Sequence, residues 1–289
     1  MKISTEIWST SQHVGEEKAI ELIAKAGFDA WDFSMFEMAR IDWNTYTILD
    51  KPHPLNQPDY LKFARRLKQI GLDNGIICNQ SHAPFPSFVP KIREVFLKRA
   101  IECTAEAGGE ICIIHPDNNS SAEVNAEFYN ELLPFAKEHG VKIATENMWN
   151  WEANAPTACA AACSHHDDFC KHIDLVNDEY LVACLDIGHA EMAGLDTSAP
   201  QMIRALGNKR LKALHIHDND KSGDTHQIPF SMNIDWAPIA KAFKDIDYQG
   251  YLTLEADRYL SKFNKDNVFE GVCDLAKSVR RLEQMIKEA

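Results

Sequence analysis

The chain has 289 residues, 45% of them hydrophobic and 25% charged, with a formal charge of −13. That balance belongs to a folded globular protein whose core needs no covalent staples, and it excludes disorder. The negative charge repels phosphate backbones and anionic membranes. Lys and Arg form no run beyond pairs such as Arg65 with Arg66 and Arg280 with Arg281, so neither nucleic acid nor membrane is an expected partner.

The opening MKISTEIWST lacks the roughly 7–15-residue apolar core of a signal peptide. No later segment approaches a membrane span, so a cytoplasmic setting is expected. From there short β-rich runs alternate with longer helical ones. Strands are expected at residues 2–8, 28–33, 72–78, 111–115, 141–146, 181–186, 211–217 and 251–255. Gly27, Gly71 and Gly140 stand where helix C-termini need positive φ, and Gly250 fits the same role before the eighth strand. The longest irregular stretch, 42–57, carries Pro52 and Pro54 and reads as a rim or lid over a site. Cys78, Cys112 and Cys184 lie inside apolar runs, so the eight cysteines read as reduced thiols and not as a disulfide framework. In the last helical segment Val268, Val272, Leu275, Val279, Leu282 and Ile286 step by four and three along one apolar stripe. Eight β/α units without a dividing linker predict a single-domain (β/α)8 barrel over residues 1–289, with an open doubly wound sheet as the alternative.

In such a barrel the C-terminal strand ends line the catalytic face. Here the third strand runs into His82, the fourth into His115, the fifth into Glu146, and the sixth into Asp186 and His189. The seventh ends His215-Ile216-His217-Asp218, and the eighth ends in Glu255. A lone carboxylate after a strand ordinarily opens a solvated loop, and a lone histidine is ordinarily a satisfied core residue. Six consecutive strands ending alike point elsewhere. Carboxylates and imidazoles gathered at one mouth need a cation or protons to organise them. Mixed oxygen and imidazole donors suit Mn²⁺, Co²⁺, Fe²⁺, Zn²⁺ or Mg²⁺.

Five strings, ATENMW at 144–149, CLDIGHA at 184–190, LHIHDND at 214–220, HQIPFSMNIDW at 226–236 and LTLEA at 252–256, together with SHAPF at 81–85, give the chain its resemblance. In order and spacing it resembles the xylose-isomerase-like TIM barrels, which include sugar and sugar-phosphate isomerases and epimerases and the family 2 AP endonucleases. The epimerase branch implies one divalent metal, with Mn or Zn favoured, between Glu146, Asp186, His215 and Glu255. Asp218 would complete its His-x-x-Asp/Glu pattern. The resemblance further implies a substrate contact from His189, and His82, His115, His217, His226 and Lys221 are candidate substrate-binding residues beside it; Trp149, next to the mouth, is another, with rim packing as its alternative. Chemically, a cation there would acidify the C–H beside a sugar carbonyl, and Glu146 and Glu255 would take and return the proton. A small carbohydrate or derivative is thus the expected partner, and a homo-oligomer is left open.

The endonuclease branch is the competing implication. Its three-metal site adds histidines like His82 and His115 and an Asp-x-His like Asp224-Thr225-His226, which makes Asp224 and His226 candidate additional ligands. A charge of −13 speaks against a duplex-DNA enzyme. A dehydratase or lyase on the same metal, or a non-catalytic partner in a complex, also fits the fold. The loop before Ile234-Asp235-Trp236 lacks the glycines with which relatives of this kind approach phosphate, and Lys221 stands where epimerases of free ketoses carry Arg. The segment CSHHDDFCKH at 163–172 reads as a helix start capped by Ser164, its spacing matching no usual zinc pattern. No Walker-type loop, Gly-x-Gly-x-x-Gly or Gly-x-Ser-x-Gly occurs, so no nucleotide cofactor and no serine hydrolase is expected.

Overall fold

A computed structural model describes all 289 residues. The chain opens with strand β1 (Lys2–Glu6), helices α1 (Trp8–Val14) and α2 (Glu16–Ala26), and strand β2 (Ala30–Ser34). A two-stranded antiparallel hairpin follows, β3 (Ile41–Asp42) with β4 (Thr47–Ile48), inside the stretch read as a rim. Then come α3 (Tyr60–Asp73), β5 (Ile77–His82), α4 (Leu97–Ala107), β6 (Ile111–Ile113), α5 (Ala122–Glu138) and β7 (Lys142–Glu146). The second half holds α6 (His166–Val176), β8 (Leu181–Asp186), α7 (Ile187–Ala190), α8 (Ala199–Arg210), β9 (Leu211–His215), α9 (Trp236–Asp245), β10 (Tyr251–Leu254) and α10 (Val268–Glu288).

Eight parallel strands run in the order β10-β1-β2-β5-β6-β7-β8-β9. The two outer strands meet through a parallel bridge between Ile216 and Leu254, with Ile216 N donating to Thr253 O at 2.9 Å and Glu255 N to Ile216 O at 3.1 Å. The sheet therefore closes on itself, and the open doubly wound alternative falls. The main core, 68 buried apolar residues, lies between strands and helices. The final helix buries all six residues of its expected stripe. All eight cysteines are free, and Cys78, Cys112 and Cys184 are buried in β5, β6 and β8.

Inside the barrel the lining divides in two. From β6 to β9 it is small and apolar: Ile113, Ala144, Val182, Cys184 and Ala213. On the other side Ser4 Oγ donates to Asn79 Oδ1 at 2.6 Å, Asn79 Nδ2 to Thr253 Oγ1 at 3.1 Å, and Gln80 Nε2 to Asp32 Oδ2 at 2.8 Å. These buried polar groups are acceptable because each finds a partner in the next.

Four local expectations are corrected. The third strand does not start at Leu72, which is half exposed in the last turn of α3; β5 begins at Ile77. Gly71 sits inside that helix because a Cβ would come within 2.8 Å of Trp31 Nε1, while Gly75 takes the left-handed turn at φ 77°. Gly250 has no positive φ; a Cβ there would strike the Tyr248 hydroxyl at 2.3 Å. At 163–172, His165 and not Ser164 caps α6, its Nδ1 accepting from Asp167 N at 3.3 Å.

Candidate active site

Side chains alternate across a strand, so a residue two places beyond an inward-facing one also faces inward. Applied to the lining just described, this carries Ile113 to His115, Ala144 to Glu146, Cys184 to Asp186, Ala213 to His215, Thr253 to Glu255 and Gln80 to His82. It also carries Ser4 to Glu6 and Ala30 to Asp32. All eight strands thus end in an ionisable group at the same mouth. Glu6 and Asp32 escaped the sequence reading because the first two strands were carried past them, to Trp8 and Phe33. The period-two rule alone would have found both.

Above the strand ends lies a cavity of about 400 Å³. Glu146, Glu255, His82, His115, His189, His226, Asp224 and Trp149 all line it. At its base His215 Nδ1 is 3.1 Å from Glu146 Oε1 and 3.3 Å from Glu255 Oε2, while its Nε2 faces Asp32 Oδ2 at 3.6 Å. Asp186 Oδ1 accepts from His189 N at 2.6 Å and lies 3.1 Å from His217 Nε2. Asn147, also missed from sequence, joins the ends of β7 and β8: Asp186 N donates to its Oδ1 at 2.8 Å and its Nδ2 donates to Asp186 O at 2.9 Å.

The histidine orientations are informative. A carbonyl oxygen can only accept, so an imidazole nitrogen bonded to one must carry the proton. His82 Nδ1 donates to Ala83 O at 2.8 Å, His189 Nδ1 to Asn147 O at 2.9 Å, and His226 Nδ1 to Glu255 O at 2.8 Å. In the neutral rings each Nε2 then presents a lone pair. His82 Nε2 lies 2.9 Å from His115 Nε2 and 3.7 Å from Glu146 Oε2, and His115 Nε2 is 3.2 Å from the same oxygen. His189 Nε2 and His226 Nε2 face Asp224 Oδ2 at 3.3 and 3.0 Å. Ligand atoms around a tetrahedral zinc are roughly 3.4 Å apart, given metal–ligand bonds of about 2.1 Å. Asp186 Oδ2, His215 Nε2, His217 Nε2 and Asp224 Oδ1 are buried without a hydrogen-bond partner. Imidazole nitrogens and carboxylate oxygens brought within ligand spacing, rings held from behind by carbonyls, and orphaned buried oxygens fit a divalent cation.

Electrostatics separate the two glutamates. Burial drives the Glu255 carboxyl well above its usual range, with His215 and His226 offsetting only part. Burial acts on Glu146 too, but His215 and His115 outweigh it and hold that carboxyl well below. Burial and neighbouring His115 keep His82 neutral. Burial would lower His189, yet Asp186 and Asp224 lift it to about 10 in the absence of a cation.

Two expected substrate contacts are placed elsewhere. His217 is fully buried beneath the cavity, stacked on His226 with centroids 4.0 Å apart. Gly188 makes room for it, since a Cβ there would meet His217 Cε1 at 1.8 Å. Lys221 does not line the cavity; its Nζ is paired with Glu191 Oε2 at 3.0 Å. Asp218 does not reach toward a metal either. Its carboxylate accepts from Ser231 N, Met232 N and Ile234 N, each at 3.1 Å, and from Trp236 Nε1 at 3.2 Å. It shapes the glycine-free loop, in which Phe230 takes φ 70°. Trp151 is exposed and lies off the cavity wall, whereas Phe85 lies on it, 4.8 Å from the His115 ring.

Residues 20–285 match the family described as xylose isomerase-like TIM barrel. An uncharacterised protein of Methanocaldococcus jannaschii is 25% identical over 256 residues, 82% of this chain and 78% of its own. Fructoselysine 3-epimerase of Escherichia coli is 30% identical over 132 residues, 45% of this chain and 44% of its own. A probable endonuclease 4 of a Geobacillus species is 30% identical over 137 residues, 43% of each chain. Among solved structures, a D-tagatose 3-epimerase-like protein superposes with a TM-score of 0.71 at 20% identity, covering 100% of this chain and 99% of its own. D-psicose 3-epimerase in the presence of D-fructose gives 0.70 at 16% identity, covering 99% of both. No helix is long and apolar enough to cross a membrane.

Proposed function

The chain belongs to the xylose isomerase-like TIM barrel family, and we propose that it is a divalent-metal-dependent isomerase or epimerase of sugars or sugar derivatives. The observation that carries this reading is the convergence of Glu146 and Glu255 on one imidazole nitrogen of His215, at 3.1 and 3.3 Å. Glu146, Asp186, His215 and Glu255 would hold the cation. When bound there, a divalent ion supplies a Lewis acid for the substrate carbonyl and offsets negative charge developing on its oxygen. Glu146 and Glu255 would present carboxylate oxygens to opposite faces of the substrate, one taking the proton from the carbon beside the carbonyl and the other returning a proton to that carbon. Main-chain carbonyls keep the rings of His82, His189 and His226 from rotating. The similarity to fructoselysine 3-epimerase and to ketose 3-epimerase structures supports the same reading.

The test is solvent-deuterium incorporation into a panel of keto sugars by the Mn²⁺- or Zn²⁺-loaded protein. Glu146→Gln and Glu255→Gln should each slow exchange by about 10²–10⁴-fold. Full activity in both variants would end the two-glutamate mechanism. A second reading, a phosphodiesterase of the endonuclease type, draws on two further ligand groups, His82 with His115 on Glu146, and His189 with His226 on Asp224. Against it, no Lys or Arg lines the cavity to meet a nucleic-acid backbone. Metal-dependent nicking of abasic DNA at catalytic rates would reverse the preference.

A further inference from the structure

We propose that the substrate is an uncharged sugar derivative bearing a second ring, and that an apolar pocket beside the carboxylate cluster receives that ring. This rests on the isomerase reading above and names its substrate class. A second cavity, about 360 Å³, adjoins the first and shares Phe36, Trp43, Phe85 and Asp257 with it. Trp8, Ile41 and Leu49 close its far side. The wall is continuous: Trp8 meets Phe36 at 5.8 Å, Phe36 meets Phe85 at 5.5 Å, and Trp43 meets Phe85 at 5.8 Å between ring centroids.

The histidines and most of the carboxylates that can grip a carbonyl and its hydroxyls line the first space, whereas the second is walled chiefly by aromatic and aliphatic side chains, with Asp257 and Arg40 its only charged groups. A free ketose extended into the second would set most of its hydroxyls against aromatic and aliphatic carbon, which is costly. A ring with an apolar face, whether aryl or the C–H face of a pyranose, instead gains contact with those side chains. Trp43 is 58% exposed, so its indole is spent on no core. Charge narrows the class further. The first cavity has no Lys or Arg in its wall, and Arg40, the one cation bordering the second, is held by Glu37, its Nε 3.0 Å from Oε1. A phosphate or carboxylate on the substrate would find no free cationic side chain in either space.

The experiment compares methyl, para-nitrophenyl and glucosyl glycosides of one pyranose oxidised to a ring ketone, using the full metal-loaded protein and solvent-deuterium incorporation. At least one ring-bearing glycoside should exceed the methyl glycoside about tenfold in kcat/KM, and the aryl and glucosyl arms show which ring is taken. Leu49→Trp, which fills the second cavity, and Trp43→Ala, which removes its shared wall, should each bring that ratio close to one. A methyl glycoside as fast as both others, or a ratio unmoved by both substitutions, overturns the proposal while leaving the isomerase reading intact. If no glycoside exchanges, the oxidation-state premise fails and calorimetry with unoxidised aryl and glucosyl glucosides decides the pocket. Binding weakened about tenfold by Leu49→Trp supports it; absent binding, or binding that Leu49→Trp leaves unchanged, overturns it.

Discussion

Replacing Gly188 by alanine tests the site through its foundations. Gly188 lies in the short α7 and carries no left-handed φ, so alanine brings no backbone strain there. The cost is steric: the new methyl would stand 1.8 Å from His217 Cε1 and 2.4 Å from both ring nitrogens. Carbon atoms rest about 3.5–4.0 Å apart, so the imidazole must retreat by about 2 Å. His217 is fully buried, 3.1 Å from Asp186 Oδ1 and 3.4 Å from Asp224 Oδ1, so moving the ring disturbs these contacts. Overpacking of this kind costs about 1–3 kcal/mol. With an unfolding entropy of about 2.1 cal/mol/K per residue, a chain of this length loses roughly 2–5 °C in Tm. Moving His217 also disturbs two carboxylates of the cluster, so metal affinity should fall about 10–100-fold, as when ligand-supporting residues are lost. Differential scanning calorimetry and metal titration against a competing chelator measure both effects. The double variant Gly188→Ala with His217→Ala should cost less than the sum of the single changes, because truncation removes the atoms that clash. A Gly188→Ala protein with wild-type Tm and wild-type metal affinity, or strictly additive costs, would refute the packing argument.

Glu6 supplies a pH signature. Burial, aided by Asp257, raises its carboxyl to about 7 against donors from Ser9 that pull the other way. A carboxyl raised on folding stabilises the fold fully below its unfolded value near 4.5 and loses that contribution as pH climbs through 7. Wild-type Tm should therefore fall over that window relative to Glu6→Gln by the equivalent of up to about 3 kcal/mol, and parallel Tm curves would contradict it. Asp218→Ala should strip the acceptor from three loop amides and the Trp236 indole, costing roughly 2–4 kcal/mol. Hydrogen exchange at Ser231, Met232 and Ile234 should accelerate well ahead of the rest of the chain, and unchanged protection there would count against the role given to Asp218.

Much of the architecture was legible because strand and helix obey different periods, and the six-residue stripe of α10 was readable to the residue. The failures have a common physical origin. β5 carries Asn79 and Gln80 into the barrel interior, so its sequence ICNQSH lacks the apolar look of a buried strand, and the strand expected at 72–78 reaches back into the end of α3 and the turn after it. A polar network that satisfies itself is invisible to a hydrophobicity pattern. At the site, strand-end position brought out Glu146, Asp186, His215 and Glu255 as inward neighbours. Lys221 and His217 were misplaced because their partners, Glu191 and Asp186, are distant in sequence. Spacing along a chain carries no record of which loop residue will capture a side chain first.

The carbonyl-pinned histidines carry a consequence for how the proposed cation would reach its site. His82, His189 and His226 are aimed by main-chain oxygens, so their orientation is complete once the barrel has closed. Metallation would then be a late event, separable from chain assembly, unlike small zinc modules in which the ion and the fold arrive together. A finished site that accepted an ion afterwards would be filled from whatever divalent pool surrounds it, following the general order of affinities for nitrogen and oxygen donors. The cell's metal economy, as much as the donor set, would decide which element the protein carries.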